Sequence, residues 1–70
     1  MSTAEIVAWQ TGVDIARADQ SAVKFLMQPA RDIEASLSLE AKAARHRLGH
    51  DSFARWVAQG WQDASNIGPW

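Results

Sequence analysis

Apolar residues recur every three or four positions along most of this chain, which is the spacing of one face of an α-helix. The first stripe consists of Ile6, Trp9, Val13 and Ala16. Just before it, Ser2 stands three residues ahead of Glu5, as in a capping box, where the hydroxyl and the carboxylate each accept a backbone N–H. The pattern predicts a helix from Thr3 to Ala18, which Gly12 weakens by about 1 kcal/mol relative to alanine.

The next apolar segment, from Ala22 to Gln28, fits two kinds of secondary structure. A strand would place Val23, Phe25 and Met27 on one face, and a helix would group Val23, Leu26 and Met27. Because the neighbouring segments are predicted helical and no second strand is visible, we expect a short helix that Asp19–Ser21 caps and Pro29 ends. A two-stranded ribbon formed between two copies of the chain is the alternative.

A longer amphipathic stripe follows Pro29. It consists of Ile33, Leu37, Ala41, Ala44 and Leu48. Ser36 and Ser38 permit a break inside it, with Ser38 capping the second half. Gly49 is suited to close this helix, because glycine readily adopts the backbone conformation that follows a helix end.

The last predicted helix begins with Asp51 or Ser52 as its cap and is interrupted near its end by Gly60. Its apolar face carries Phe53, Trp56, Val57 and Trp61. Residues 66–70 then predict an irregular tail that finishes in Trp70. The chain is thus predicted to be one all-α domain, 1–70, a small bundle of three to four short helices whose last two form a helix-turn-helix-like pair.

Composition limits the core of such a domain. Of the 70 residues 47% are apolar, but thirteen are alanine and four are tryptophan. A domain of this size buries only about 60% of its unfolded surface, so stability must come from packing or from a partner subunit. The absence of cysteine excludes disulfides and thiolate metal sites.

Nothing in the sequence predicts export or membrane insertion. The start, Met1–Glu5, lacks the basic and apolar regions of a secretory signal. The longest run of large apolar residues, Phe25–Met27, is far shorter than the ~20 residues that span a bilayer. We therefore expect a soluble, cytoplasmic protein that makes no membrane contact.

The net charge of −1 conceals a separation of charge along the chain. Before Lys42 the acids are Glu5, Asp14, Asp19, Asp32, Glu34 and Glu40, against Arg17, Lys24 and Arg31. From residue 42 to 55 the cations Lys42, Arg45, Arg47 and Arg55 outnumber the single acid Asp51. One interpretation of these four cations is phosphate contact by a dimeric DNA-binding regulator of the helix-turn-helix or ribbon-helix-helix type.

Other chemistry has little support in the sequence. His46 and His50 stand four apart, a metal-ligand spacing on a helix, but further ligands are not evident. His50, Asp51 and Ser52 are the residue types of a hydrolytic triad, yet consecutive residues rarely face one another. We therefore predict a protein that is not an enzyme and needs no cofactor or metal.

The aromatic residues near the end of the chain suggest protein binding. Tryptophan is enriched at interface hot spots, although aromatic residues at helical spacing also form cores. We predict a docking face of Phe53, Trp56, Trp61 and Trp70, oriented by Arg45, Arg47 and Arg55. The chain would then be a small non-catalytic accessory, regulatory or inhibitor protein that binds a larger protein, as a homo-oligomer or a subunit of a complex.

Two neighbouring segments, Glu40–Ala43 and Arg47–Val57, carry a local resemblance. They are similar to a region of phage- and plasmid-borne helical proteins of unknown function, in which an Ala-Lys helix leads into a Leu-x-His-Gly-x-Phe-x-x-Trp-Leu run. Those proteins continue into a Ser-x-x-Thr-Ala segment suggestive of DNA binding, where this chain has Asp63–Asn66. The resemblance implies an origin in a phage or mobile element.

Overall fold

Five α-helices make up most of the computed structural model, which describes residues 2–18 and 21–66. They are α1 (Thr3–Arg17), α2 (Ala22–Leu26), α3 (Ala30–Ser36), α4 (Leu39–Leu48) and α5 (His50–Asn66). The described residues contain no strand, so the prediction of an all-α fold is confirmed. The expected number of three to four helices is corrected to five.

Serine side chains set the starts of three helices. At α1 the predicted capping box is confirmed: the Glu5 amide donates to Ser2 Oγ, and the Ser2 amide donates to Glu5 Oε2, both at 3.2 Å. Ser21 Oγ accepts from the Lys24 amide at the start of α2. Ser38 Oγ accepts from the Ala41 amide at the start of α4.

The segment that fitted either a strand or a helix is helical. Residues Ala22–Leu26 form α2, and Met27 caps its C-terminal end with helical dihedrals. The alternative of a two-stranded ribbon does not apply to these residues, because their backbone groups bond within the helix. Burial of Ala22 and Phe25 holds this short helix on the bundle, since five residues do not form a stable helix alone.

The long stripe from Ile33 to Leu48 divides into two helices at the position that the serines permit. Leu37 has extended dihedrals, with φ −85° and ψ 149°, and it is buried. Ser38 then caps α4. The break lets Ile33 and Leu37 enter the core from α3 and its C-cap while α4 buries its alanines.

Gly49 alone separates α4 from α5, and it has a positive φ of 80°. Its carbonyl accepts from the Phe53 amide at 3.1 Å, so α5 begins at His50, earlier than the predicted caps Asp51 and Ser52. A helix-turn-helix has a turn of three to four residues. The predicted helix-turn-helix pairing is not confirmed, because α4 and α5 each pack more extensively on α1 than on each other.

The end of α5 also differs from the prediction. The helix continues through Gly60 as far as Asn66, so the glycine does not interrupt it. The remainder of the predicted irregular tail, including Trp70, lies outside the described residues.

The two helices α1 and α5 cross with their backbones in contact. A Cβ atom added to Gly12 would overlap the carbonyl oxygen of Val57 and lie 2.7 Å from the Trp61 amide nitrogen. A Cβ added to Gly60 would overlap the carbonyl oxygen of Trp9. These positions require glycine because neighbouring backbone atoms occupy the space of any side chain.

The core lies around this crossing. Its largest fully buried side chains are Phe53, Ile33 and Val57. Alanines fill the narrow spaces between the helices: Ala8, Ala22, Ala41, Ala44 and Ala64. These five of the thirteen alanines therefore serve close helix packing rather than core volume.

We expect Gly60→Ala to lower the free energy of unfolding by about 3 kcal/mol, because the added methyl forces α1 and α5 apart. This loss outweighs the gain of about 1 kcal/mol in helix propensity. Chemical denaturation followed by circular dichroism measures the free energy of unfolding. Ala58→Ser, at an exposed position of the same helix, is the control and should change stability by less than about 0.5 kcal/mol. Equal stabilities of the two variants would contradict the proposed contact.

Candidate binding surfaces

The three described members of the predicted aromatic docking face, Phe53, Trp56 and Trp61, do not form one surface. Phe53 has 0% of its surface exposed and lies at the centre of the core, so its assignment to partner binding is corrected. Trp56 and Trp61 are half-buried and pack against the core. Five residues apart on a helix, they lie about 140° apart around its axis, on opposite flanks of the buried stripe. Trp70 lies outside the described residues.

A polar contact that the sequence did not predict joins α1 to α5. Trp9 Nε1 donates to Asp63 Oδ2 at 2.8 Å. Gln59 Nε2 donates to the other carboxylate oxygen, Asp63 Oδ1, also at 2.8 Å. Both oxygens of Asp63 are therefore engaged, and the indole of Trp9 is held in place beside the helix crossing.

The four basic residues singled out in the sequence also separate. Arg45 and Arg47, two residues apart on α4, point about 160° away from each other around the helix. Arg47 lies beside Ala4 and Val7 of α1. Arg55 is exposed on α5, two residues after the buried Phe53 and therefore on the outer side of the helix. Hence no single docking face is bordered by Arg45, Arg47 and Arg55.

Arg45 is largely enclosed by the protein. Its side chain is 17% exposed, and Nη1 lies 3.5 Å from Glu34 Oε2 in an ion pair between α4 and α3. Its Nε is buried and has no hydrogen-bond partner among the described residues. The Glu34 side chain is 57% exposed, so solvent weakens the pair, and its main effect is to hold the guanidinium against α3.

A cleft lined mainly by basic side chains, here called the basic cleft, lies at the junction of α3, α4 and α5. Its lining consists of Glu34, Lys42, Arg45, His46, Gly49 and His50, and its volume is about 290 Å³. Of the four predicted phosphate-binding residues it contains Lys42 and Arg45. His46 lies one turn after Lys42 on α4, and His50 joins them because Gly49 turns the chain between the helices.

A second cleft, here called the large cleft, has a volume of about 400 Å³ and lies between α1, α2 and the junction of α3 with α4. Its apolar wall is formed by Ile15, Ala18, Phe25, Leu37 and Ala41, and its polar rim by Thr11, Asp14, Gln28, Ser36 and Ser38. Asp14 is the one ionisable side chain among these described residues. Its Oδ1 accepts from Gln10 Nε2 at 3.3 Å.

Large apolar side chains are exposed on the segments that also supply residues to the large cleft. Met27 is 82% exposed and Leu39 is 80% exposed, and each adjoins in sequence a residue that lines the cleft, Gln28 or Ser38. Val23, one helical turn before Met27, is 66% exposed. The sequence indicated apolar character at these positions but not that they lie outside the core.

The described residues assemble neither a hydrolytic triad from His50, Asp51 and Ser52 nor a metal-binding cluster. His50, Asp51 and Ser52 occupy the first turn of α5, and consecutive helical residues do not face one another. Among the described residues, no three or more His, Cys, Asp or Glu side chains are close enough together to hold a metal ion. No described helix is both long enough and apolar enough to cross a membrane.

Comparisons with known proteins do not identify a relative. The chain matches no protein-family model, no curated protein and no solved structure.

We expect Phe53→Ala to lower the free energy of unfolding by about 3–5 kcal/mol, because it removes a fully buried aromatic ring and leaves a cavity. Arg55→Ala, two residues later and exposed, is the matched control and should change stability by less than about 0.5 kcal/mol. Urea denaturation of both variants measures the difference. If Phe53→Ala were as stable as wild type, the result would contradict the burial of Phe53 in the core.

Proposed function

We propose that this chain is a small non-catalytic protein-binding module that docks on a larger protein through the large cleft and the apolar side chains beside it. The observation that carries the proposal is that three of the four exposed large apolar residues of the described chain fall within residues 23–39. Val23, Met27 and Leu39 are 66%, 82% and 80% exposed, and the fourth, Ile6 on α1, is 50% exposed. An exposed apolar patch on a small protein marks an interaction site, and we infer that these side chains contribute to one.

The shape of α2 supports this assignment. Val23 and Met27 are four residues apart and so lie on the same side of the chain, one turn apart, while Ala22 and Phe25 face the core. The short helix thus turns apolar residues inward, while its outward side carries Val23 and the exposed Lys24. Methionine suits the outward face because its flexible thioether adapts to different partner surfaces.

Charge indicates the chemistry of the partner. The rim of the large cleft carries the carboxylate of Asp14, and the chain before Lys42 holds six acids against three bases. The partner segment therefore offers apolar side chains to the cleft wall and a basic side chain to Asp14. Complementary charge of this kind directs association and sets the orientation of the two proteins.

The role that fits such a module is that of a cytoplasmic accessory, regulatory or inhibitor protein of phage or mobile-element origin. The DNA-binding alternative has less support. Arg47 and Arg55 lie away from the basic cleft, whereas contact with a duplex requires a continuous basic surface.

We expect a photoreactive amino acid placed at Leu39 to cross-link one protein partner in cells of the source organism. The same group at Arg55, exposed on α5, is the control and should give no such product. Nuclease treatment of the extract before analysis should leave the product unchanged.

With the partner identified, the double variant Met27→Ser, Leu39→Ser should bind it at least about 30-fold more weakly, a change of about 2 kcal/mol. Its unfolding midpoint should stay close to that of wild type, because both side chains are exposed. Equal cross-linking from Arg55, loss of the product with nuclease, or unchanged affinity of the double variant would each count against the proposal.

A further inference from the structure

We propose that the basic cleft between α3, α4 and α5 binds the phosphate group of a small phosphate ester. The proposal is independent of the protein-docking role, because the basic cleft and the large cleft share no lining residue.

The first support is the hydrogen-bonding character of the lining. Lysine offers only donors, and an imidazole offers at least one N–H. Among the described residues, none forms a hydrogen bond or ion pair with the side chains of Lys42, His46 or His50. Three donor side chains with unused capacity therefore share one cleft, which is the complement of an oxyanion with several acceptor oxygens.

The second support is the way the backbone brings these donors together. Lys42 and His46 are one turn apart on the same side of α4. Gly49, with its positive φ, directs His50 of the next helix back to the same cleft. Basic residues in the last turn of α4 would be expected simply to complement the helix dipole, but that effect does not account for His50 at the start of α5.

The ion pair on the α3 side adds a fixed positive group. Glu34 holds Arg45 through the 3.5 Å contact between Oε2 and Nη1, so the guanidinium is oriented before a ligand arrives. Preorganisation of this kind reduces the ordering cost of binding. The carboxylate of Glu34 lines the same cleft and provides an acceptor for a hydroxyl of the ester.

The size and isolation of the cleft favour a small ligand over a nucleic acid. Its volume of about 290 Å³ holds a phosphate and a few further atoms. The exposed bases Arg47 and Arg55 lie outside it, on other sides of α4 and α5. The charges of the cleft are thus concentrated at one point, whereas a duplex presents phosphates along a line.

The test is titration of the full chain with inorganic phosphate and with glycerol phosphate, followed by NMR of the His46 and His50 imidazole signals. Both signals should shift together along one saturable curve, and sodium chloride at the same ionic strength should not reproduce the shift. Lys42→Gln should weaken binding at least about fivefold. Arg55→Gln, which removes a cation outside the cleft, is the matched control and should bind as wild type does, and circular dichroism should show both variants folded.

Two results would overturn the proposal. One is a linear, chloride-like response or an unchanged affinity in Lys42→Gln. The other is preferential binding of a duplex oligonucleotide that Lys42→Gln and Arg55→Gln weaken equally, because that result would assign the cations to a nucleic-acid surface.

Discussion

The contact on which the rest of this fold depends is the crossing of α1 and α5 at Gly12 and Gly60. Each glycine lies against backbone atoms of the other helix, so neither position has room for a methyl group. The crossing fixes α5 on α1, and this places Phe53 and Val57 inside the bundle. It also brings the Trp9 indole to Asp63, 54 residues away in the chain. A close approach of two helices thus determines both the core and the Trp9–Asp63 hydrogen bond between them.

The close approach of α1 and α5 explains why apolar side chains are exposed on other helices. Helices that meet through glycine and alanine bury little apolar area at their contact, and hydrophobic stabilisation scales with the area removed from water. The bundle gains further area from Phe25 of α2 and Ile33 of α3. These helices have five and seven residues and depend on that burial to form. Because they cover the core as a thin layer, their outer faces are the surface of the protein, and Val23 and Met27 are exposed there.

The sequence predicted most helix limits because the signals for them are local. Ser2, Ser21 and Ser38 stand where caps are needed, and the start of α5 was misplaced by one or two residues because a glycine carbonyl closes its first turn. The directions of the side chains could not be predicted in the same way. A stripe such as Phe53 and Trp56 is equally compatible with a core and a docking face until the position of the other helices is known. Gly12 and Gly60 were interpreted as weak points, since their role arises only when two distant segments meet.

The helix α4 illustrates how one short element can serve the core and two binding surfaces. Alanines at 41 and 44 form its buried side, and they let it lie close to α1 without long side chains spreading over its flanks. The side of α4 that carries Lys42 and His46 lines the basic cleft. Leu39, at the start of the same helix, is exposed and directly follows Ser38, which lines the large cleft. A larger residue at Ala41 or Ala44 would move α4 away from α1 and shift both surfaces at once. The two buried alanines of α4 are thus a condition for the placement of the candidate sites as well as for the packing of this helix.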